Sequence, residues 1–457
     1  MSTVPAVIVA APASGSGKTT IATGLIGALR RAGHRVAPFK VGPDFIDPGY
    51  HGLAAGRAGR NLDPVLVGED LIGPLFRHGT RDADIAVVEG VMGLFDGRID
   101  DHLPTPARGS TAQVAALLRA PVLLVVDARG QSQSIGAVVQ GFATFHPNVR
   151  VAGVILNRVG SDRHERILRQ ACDAVGVPVL GAVPRAEALS LPSRHLGLVT
   201  ATEHGGQARD AVAAMTDLVA GCVDLGAVVA LAGAAVPVPA WSPEAVTGDP
   251  VPGRPVVAVA AGSAFTFGYA ERDELLRAAG AQIAEFDPIT ETLPADTSAL
   301  VLPGGFPEQY GAELSANVAV REEISLLSRQ RPVYAECGGL TYLMSDLDGH
   351  PMCGVLAGTA RFTSRLTLGY RDAAAAADSP LFDTGQRVTG HEFHRTAVQF
   401  TGAVQPAWLF SAPDGTRRAD GVVQDAVHAA YLHTHPAAQP QSLRRFVERA
   451  ADLGLPR

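Results

Sequence analysis

The chain has 457 residues, 47% of them hydrophobic and 18% charged, with a formal net charge of −7. A charged share below the typical ~25% and so large an apolar share exclude disorder as the dominant state. The acidic balance gives no electrostatic reason to expect nucleic acid or an anionic membrane as partner, and no uninterrupted apolar run reaches the ~20 residues of a spanning helix.

The N-terminal MSTVPAVIVAAPASG has no basic stretch ahead of its apolar segment, so it is read as a first strand and not as a signal peptide. Apolar runs at 6–11, 35–40, 84–90, 121–128 and 151–157 predict strands, with amphipathic stretches at 18–32, 111–119 and 162–175 between several of them. Continuous apolar strands alternating with helices predict a parallel sheet covered on both faces. The Pro/Gly-rich stretch 235–253 reads as a linker. After it a second alternating unit is predicted, with strands at 256–261, 281–288, 298–305 and 332–337 and helices near 269–279 and 314–329. The Ala-rich run 373–377 reads as a loop or short helix. The expected organisation is a first α/β domain over 1–234, a linker over 235–253 and a second α/β domain over 254–457.

Residues 10–20, AAPASGSGKTT, follow a predicted strand and open a predicted helix. That is the placement of a P-loop, whose backbone N–H groups and helix N-terminus cradle phosphates. Ser14, Gly15, Gly17, Lys18, Thr19 and Thr20 are the candidate ATP contacts, with Lys18 reaching the β- and γ-phosphates and the Thr19 hydroxyl holding Mg2+. The first glycine of the usual motif is replaced by Pro12. Only two of the 38 basic residues are lysine, Lys18 and Lys40. In a chain so biased toward arginine, a retained compact ammonium marks a site that a guanidinium fork does not fit.

Acidic residues follow two of the predicted strands. Asp44 and Asp47 lie in KVGPDFIDPGYH (40–51), beside Lys40, and Glu89 and Asp96 lie in VVEGVMGLFDG (87–97). Ligands bind outside the carboxyl ends of parallel strands, so Asp44 and Glu89 are expected to join Thr19 around the metal. Asp47 and Asp96 are expected on the substrate side of the same crevice. As turn formers these acids would serve only the backbone.

In the second unit PVYAECGGLTYLM places Cys337 on a tight strand-to-helix turn, the setting of an exposed nucleophile. The helix N-terminus is expected to lower its thiol pKa. N–H groups at Gly304, Gly305 and Gly338 could bind a developing oxyanion. YLHTHP (431–436) offers His433 as the base, while Cys172, Cys222 and Cys353 read as buried apolar thiols. The four cysteines lack metal or disulfide spacing, which suits a reducing, cytoplasmic setting. HEFH (391–394) with HTH (433–435) admits a zinc alternative.

Taken together, APASGSGKTT, KVGPDFIDPGYH, VVEGVMGLFDG, GAVPR with LPSRHLGLV, PGGFPE, AECGGLTYL, GHEFHRT and YLHTHP resemble the cobyrinic/hydrogenobyrinic acid a,c-diamide synthase family over essentially the whole chain. The resemblance implies a dethiobiotin-synthetase-like P-loop domain followed by a class I glutamine amidotransferase domain. It also implies ATP, Mg2+, L-glutamine and a corrin polycarboxylate as cofactors and substrates, with phosphorylation of a carboxylate and its displacement by ammonia. Cys337 and His433 would then hydrolyse glutamine, and Lys40 would neutralise phosphate or carboxylate charge. Many class I domains carry an acid two residues after the base, where this chain has His435; another acid such as Glu392 orients His433, or none does. Cobyric acid synthase shares both domains, but KVGPDFIDP favours the a,c-diamide reading. A partner-regulating P-loop ATPase would carry a second lysine where Ala13 stands and would have no glutaminase domain. The Arg- and Ala-rich composition leans toward a metal-free corrin.

Overall fold

Five consecutive buried apolar residues make β1 (Ala6–Ala10) the centre of the first sheet. Around it lie β2 (Val36–Val41), β3 (Arg60–Leu62), β4 (Ile85–Glu89), β5 (Val122–Asp127), β6 (Val151–Val159) and β7 (Val179–Pro184). The strand order is β3-β2-β4-β1-β5-β6-β7, and every pairing is parallel. A parallel sheet brings all strand C-termini to one edge. Here Lys40 is the register partner of Glu89, and Glu89 is also paired with Val9 of β1. The P-loop leaves β1 at that edge and opens α1 (Lys18–Arg31), and α2 (Asp47–Ala55) follows β2.

These features belong to a computed structural model that describes residues 3–99, 105–185, 193–194, 197–198, 200–412 and 415–452. Most of the LPSRHLGLV segment therefore lies outside the described residues. The chain divides into two units, Met1–Trp241 and Ser242–Arg457. No helix among the described residues is long and apolar enough to cross a membrane.

The second unit holds a six-stranded sheet ordered Gln282–Phe286, Val256–Ala260, Thr297–Leu302, Val333–Glu336, Val427–Ala430, Val422–Gln424. Its first five strands are parallel and the last is antiparallel. A second sheet is built on the long hairpin Leu356–Ala375/Arg387–Phe400 and takes in His433–Thr434 at its edge. This sheet was not apparent from the sequence. It also corrects the reading of the Ala-rich run. Ala373–Ala375 are strand, pairing with Val388 and Arg387 on one side and with Phe410, Leu409 and Trp408 on the other. Cross-strand partners, and not intrinsic preference, decide the conformation of such a neutral stretch.

The Pro/Gly-rich stretch is anchored at both ends. Trp241 is buried, its N–H bonds the Pro74 carbonyl, and its ring meets His78 edge-on at 5.0 Å. One residue later the chain is tied to the second unit. Ser242 caps the short helix Pro243–Thr247, and Arg444 donates to the carbonyls of Thr247 and Asp249 at 2.5 and 2.7 Å.

Candidate active sites

At the carboxyl edge of the first sheet the P-loop turns through two glycines with positive φ, Gly15 at 78° and Gly17 at 91°. Side chains rarely tolerate that region, so glycine is required there. Ser14 and Gly15 are exposed at the turn, while Thr19 and Thr20 are half-buried in the first turn of α1. Lys18 is buried, and its Nζ donates to the Met92 carbonyl at 2.5 Å. Burial and the neighbouring Lys40 ammonium push its pKa below the usual lysine value.

Behind Lys18 sits a buried charge cluster. Lys40 Nζ lies 2.6 Å from Asp47 Oδ2 and 3.0 Å from Glu89 Oε1. The Thr19 hydroxyl donates to Glu89 Oε1 at 2.7 Å, and His51 Nε2 lies 2.8 Å from Glu89 Oε2. Burial works against charge on Lys40, but Asp47 and Glu89 outweigh it and hold the ammonium protonated. Glu89 is drawn down to about 2, because Lys40 and His51 overcome its desolvation. Asp47 is pushed up to about 7 by burial and by Asp44, against the pull of Lys40.

Asp47 thus stands beside the expected metal residues, 3.4 Å from the Thr19 hydroxyl. Asp44 Oδ1 accepts the N–H groups of Ile46 and Asp47 at 2.7 and 3.0 Å, so it also shapes the start of α2. Asp96 accepts the Gly93 N–H at 3.0 Å and contributes its charge near Lys18. The Thr19 hydroxyl with the carboxylates of Asp44 and Glu89 offers the oxygen donors that a hard divalent cation takes, while Asp47 is engaged by Lys40, and the two-glycine turn suits a phosphate chain.

Three residues here escaped the sequence reading. His51 lies one helical turn after Asp47, so 3.6-residue spacing could have exposed it. Asn157, near the end of β6, donates to the Ser16 carbonyl at 2.8 Å, and its amide fills the space beside Gly17. Arg158 reaches the Gly15 carbonyl at 2.9 Å and pairs with Asp127 at 2.6 Å. Both sit at a strand end, the same signal that exposed Glu89.

In the second unit Cys337 takes φ 48° and ψ −99°, a conformation unfavourable for a residue with a side chain. The elbow is held by the Cys337 N–H donating to the Ala430 carbonyl at 2.7 Å. It separates the strand Val333–Glu336 from the helix Gly338–Leu343. The thiol is 4% exposed. Burial, followed by the charge of Glu308, raises its pKa, and the Gly338 N–H does not offset them. This corrects the expectation of a thiol activated by a helix terminus. A six-residue helix cannot override desolvation, so the resting sulfur carries its proton.

The candidate oxyanion glycines leave no room for a side chain. A Cβ on Gly338 would stand 3.0 Å from the Gly305 nitrogen, and one on Gly304 would stand 2.6 Å from His433 Cε1. His433 is fully buried and stacks on His391 at 5.1 Å. Its Nδ1 lies 3.4 Å from Glu336 Oε2. Glu392 is not the partner of His433. It pairs with Arg371 at 2.6 Å and faces His394 at 3.6 Å. His435 accepts the Ala437 N–H at 3.2 Å and stacks on Tyr269 at 4.3 Å. The histidines of HEFH and HTH thus pack on rings or accept backbone hydrogens. Among the described residues, no group of three or more His, Cys, Asp or Glu has the geometry to hold a metal. Cys172 and Cys353 are buried free thiols, while Cys222 is free but only half-buried, on the C-terminal end of its helix; all three pKa values are raised by desolvation.

Two family models match the chain. That of the CobQ/CobB/MinD/ParA nucleotide binding domain covers residues 7–199, and that of the CobB/CobQ-like glutamine amidotransferase domain covers residues 256–441. The hydrogenobyrinate a,c-diamide synthase of Mycobacterium bovis is 66% identical over 98% of both chains. Its namesake from Streptomyces coelicolor is 55% identical over 98% of both. The cobyrinate a,c-diamide synthase of Syntrophotalea carbinolica is 42% identical over 97% of this chain and 98% of its own.

Proposed function

The chain belongs to the hydrogenobyrinate/cobyrinate a,c-diamide synthase family, and we propose that it amidates the a and c side-chain carboxylates of hydrogenobyrinate with glutamine-derived ammonia. One observation carries this reading: a P-loop backed by a buried Lys/Asp/Glu cluster, and a strained Cys elbow whose preceding residue, Glu336, faces a buried His, occur in a single chain. We assign carboxylate activation to residues 1–234, glutamine hydrolysis to residues 254–457 and the connection to residues 235–253.

Activation is chemically required. A carboxylate is a poor electrophile with a poor leaving group, and phosphorylation by ATP corrects both. The P-loop N–H groups, Lys18 and the hydroxyls of Ser14, Thr19 and Thr20 bind and align the phosphates. Thr19, Asp44 and Glu89 would hold Mg2+, which when bound offsets charge on the transferring phosphoryl group. Lys40 keeps two buried carboxylates neutralised beside that position. Asp96, near Lys18, is assigned to the substrate side of the crevice, whereas Asp47, bound to Lys40, supports the metal side.

In the second unit the Cys337 sulfur attacks the glutamine amide carbon and forms a C–S bond. Its proton passes to His433 Nε2 and on to the departing nitrogen as the C–N bond breaks, releasing ammonia. Water then hydrolyses the thioester through the same histidine. The N–H groups of Gly304, Gly305 and Gly338 face the developing oxyanion in this reading. The free thiols fit a cytoplasmic enzyme. Relatives named for hydrogenobyrinate share 66% and 55% of residues, against 42% for one named for cobyrinate, which favours the metal-free corrin. The test is incubation with ATP, glutamine and each corrin in turn, with products weighed by mass spectrometry. Two additions of an amide to hydrogenobyrinate are expected; amidation confined to cobyrinate, or to neither, overturns the reading.

A further inference from the structure

We propose that Glu336, the residue immediately before the nucleophile, is the carboxylate that orients His433, and that Tyr334 fixes it for that task. The inference rests on the glutaminase reading above and goes beyond it by assigning the third member of the site.

Elimination narrows the acids first. The position two residues after the base holds His435, whose Nδ1 is occupied by the Ala437 N–H. Glu392 is held by Arg371. Asp420, buried near Cys337, accepts the N–H groups of Tyr431 and Leu432 at 3.2 and 2.9 Å, so both its oxygens hold the segment that leads to His433. Glu336 faces the ring directly.

Its geometry suits an orienting role. Tyr334 and Glu336 are two residues apart in one strand, so their side chains lie on the same face. Glu336 Oε1 accepts the Tyr334 hydroxyl in a short hydrogen bond and the Thr434 N–H at 3.2 Å. One oxygen is therefore pinned by a neighbour on its own strand and by the residue after His433. The other, Oε2, is the one that meets His433 Nδ1. Despite burial, His433 and Tyr334 hold the carboxyl below its usual pKa, so it is ionised. An ionised carboxylate can only accept, so the N–H that His433 turns toward it is on Nδ1, and Nε2 is the atom left to take the thiol proton. The 3.4 Å separation exceeds a resting N–H···O bond. Such contacts tighten when the imidazole becomes cationic in the reaction.

The resting thiol makes this arrangement necessary. Cys337 is protonated, so sulfur attack and proton transfer to His433 belong to one step, and the imidazolium formed is buried. A neighbouring carboxylate stabilises that cation. The backbone ties the parts together: the same strand end presents Glu336 to the base and Cys337 to the substrate.

The experiment measures steady-state glutamine hydrolysis and ammonia-driven synthesis in the full chain. Absence of hydrolysis in the wild type would defeat the functional reading and not this assignment. Glu336→Gln is expected to lower kcat for hydrolysis roughly 10²–10³-fold with KM for glutamine within threefold, because the amide favours the wrong tautomer. Glu336→Asp should recover part of the loss. Ammonia-driven synthesis reports folding. If Glu336→Gln loses that too, Tyr334→Phe decides, with an expected five- to tenfold fall in kcat at unchanged KM. Retention of kcat within threefold in Glu336→Gln, or a loss carried only by KM, overturns the assignment. For a misfolded Glu336→Gln, unchanged kcat in Tyr334→Phe does the same.

Discussion

The two sites stand at strand ends of parallel sheets, yet they handle burial in opposite ways. The P-loop site buries charge: the carboxylates of Asp47 and Glu89 lie 2.6 and 3.0 Å from the Lys40 ammonium. The cysteine site instead keeps its nucleophile neutral and sets an ionised carboxylate, Glu336, behind it: burial raises the thiol pKa and holds His391 and His428 uncharged. Phosphoryl transfer needs fixed counter-charges at all times, whereas acyl transfer creates charge only while the reaction proceeds. A preorganised ion cluster suits the first task. A low-dielectric pocket with a proton relay suits the second.

Removing the nucleophile tests that division most severely. Cys337→Ala is expected to reduce glutamine-dependent synthesis by roughly 10⁴-fold or more, while synthesis from added ammonia persists. A folded variant equally inactive with ammonia would show that the two chemistries are not separable. Next comes the charged side. Glu89→Gln removes the carboxylate shared by Thr19, Lys40 and His51, and ADP release should fall by about 10²–10³-fold while basal glutamate release continues. Asp44→Asn keeps an oxygen for the Ile46 and Asp47 N–H groups but loses a charge. Its expected loss of ADP release is about tenfold, smaller because part of its role is local.

Lys18→Arg preserves charge and tests shape. A guanidinium cannot occupy the compact position facing the Met92 carbonyl, and turnover should fall about 10²-fold by misalignment of the phosphates. Near-normal turnover would remove the significance given to lysine in a chain with 36 arginines. The smallest effect sharpens the neutral side. His428 is pushed down to about 4 by burial. The unfolded chain therefore binds a proton near pH 6.5 that the folded chain refuses, and stability falls as pH drops from about 6.5 toward 4. His428→Leu abolishes that loss. Thermal melts should show the variant gaining on the wild type by about 2 kcal/mol at pH 4.5; a gap independent of pH would contradict a neutral His428.

Most of the parallel framework was legible because continuous apolar runs leave few alternatives. Val122–Asp127 and Val333–Glu336 fall inside their predicted runs. The second sheet of the C-terminal unit was not legible, since Leu356–Ala375 alternates weakly and is stabilised by long-range pairing with Arg387–Phe400. Lys18, Lys40, Glu89 and Cys337 stand out as candidates because each combines an unusual residue type with a strand end. Glu336 could not be ranked over Glu392. Both are acids near motif residues, and only the parallel pairing of Val333–Glu336 with Val427–Ala430, followed by the turn to His433, decides between them. The thiol's protonation state was misread for a related reason: a helix terminus is visible in sequence, but desolvation by distant segments is not.

The buried, protonated state of Cys337 bears on how the enzyme endures its surroundings. Peroxide oxidation to sulfenic acid, capture by soft metal ions and exchange with disulfides all proceed through the thiolate. A cysteine that is 4% exposed and whose thiol pKa is raised by burial disfavours all three. It becomes nucleophilic only against a carbonyl already seated beside a histidine able to take its proton. The reactivity that a surface cysteine would expose continuously is here conditional on substrate, and slow reaction with peroxide in the absence of glutamine is the expected consequence of the burial that raises the thiol pKa.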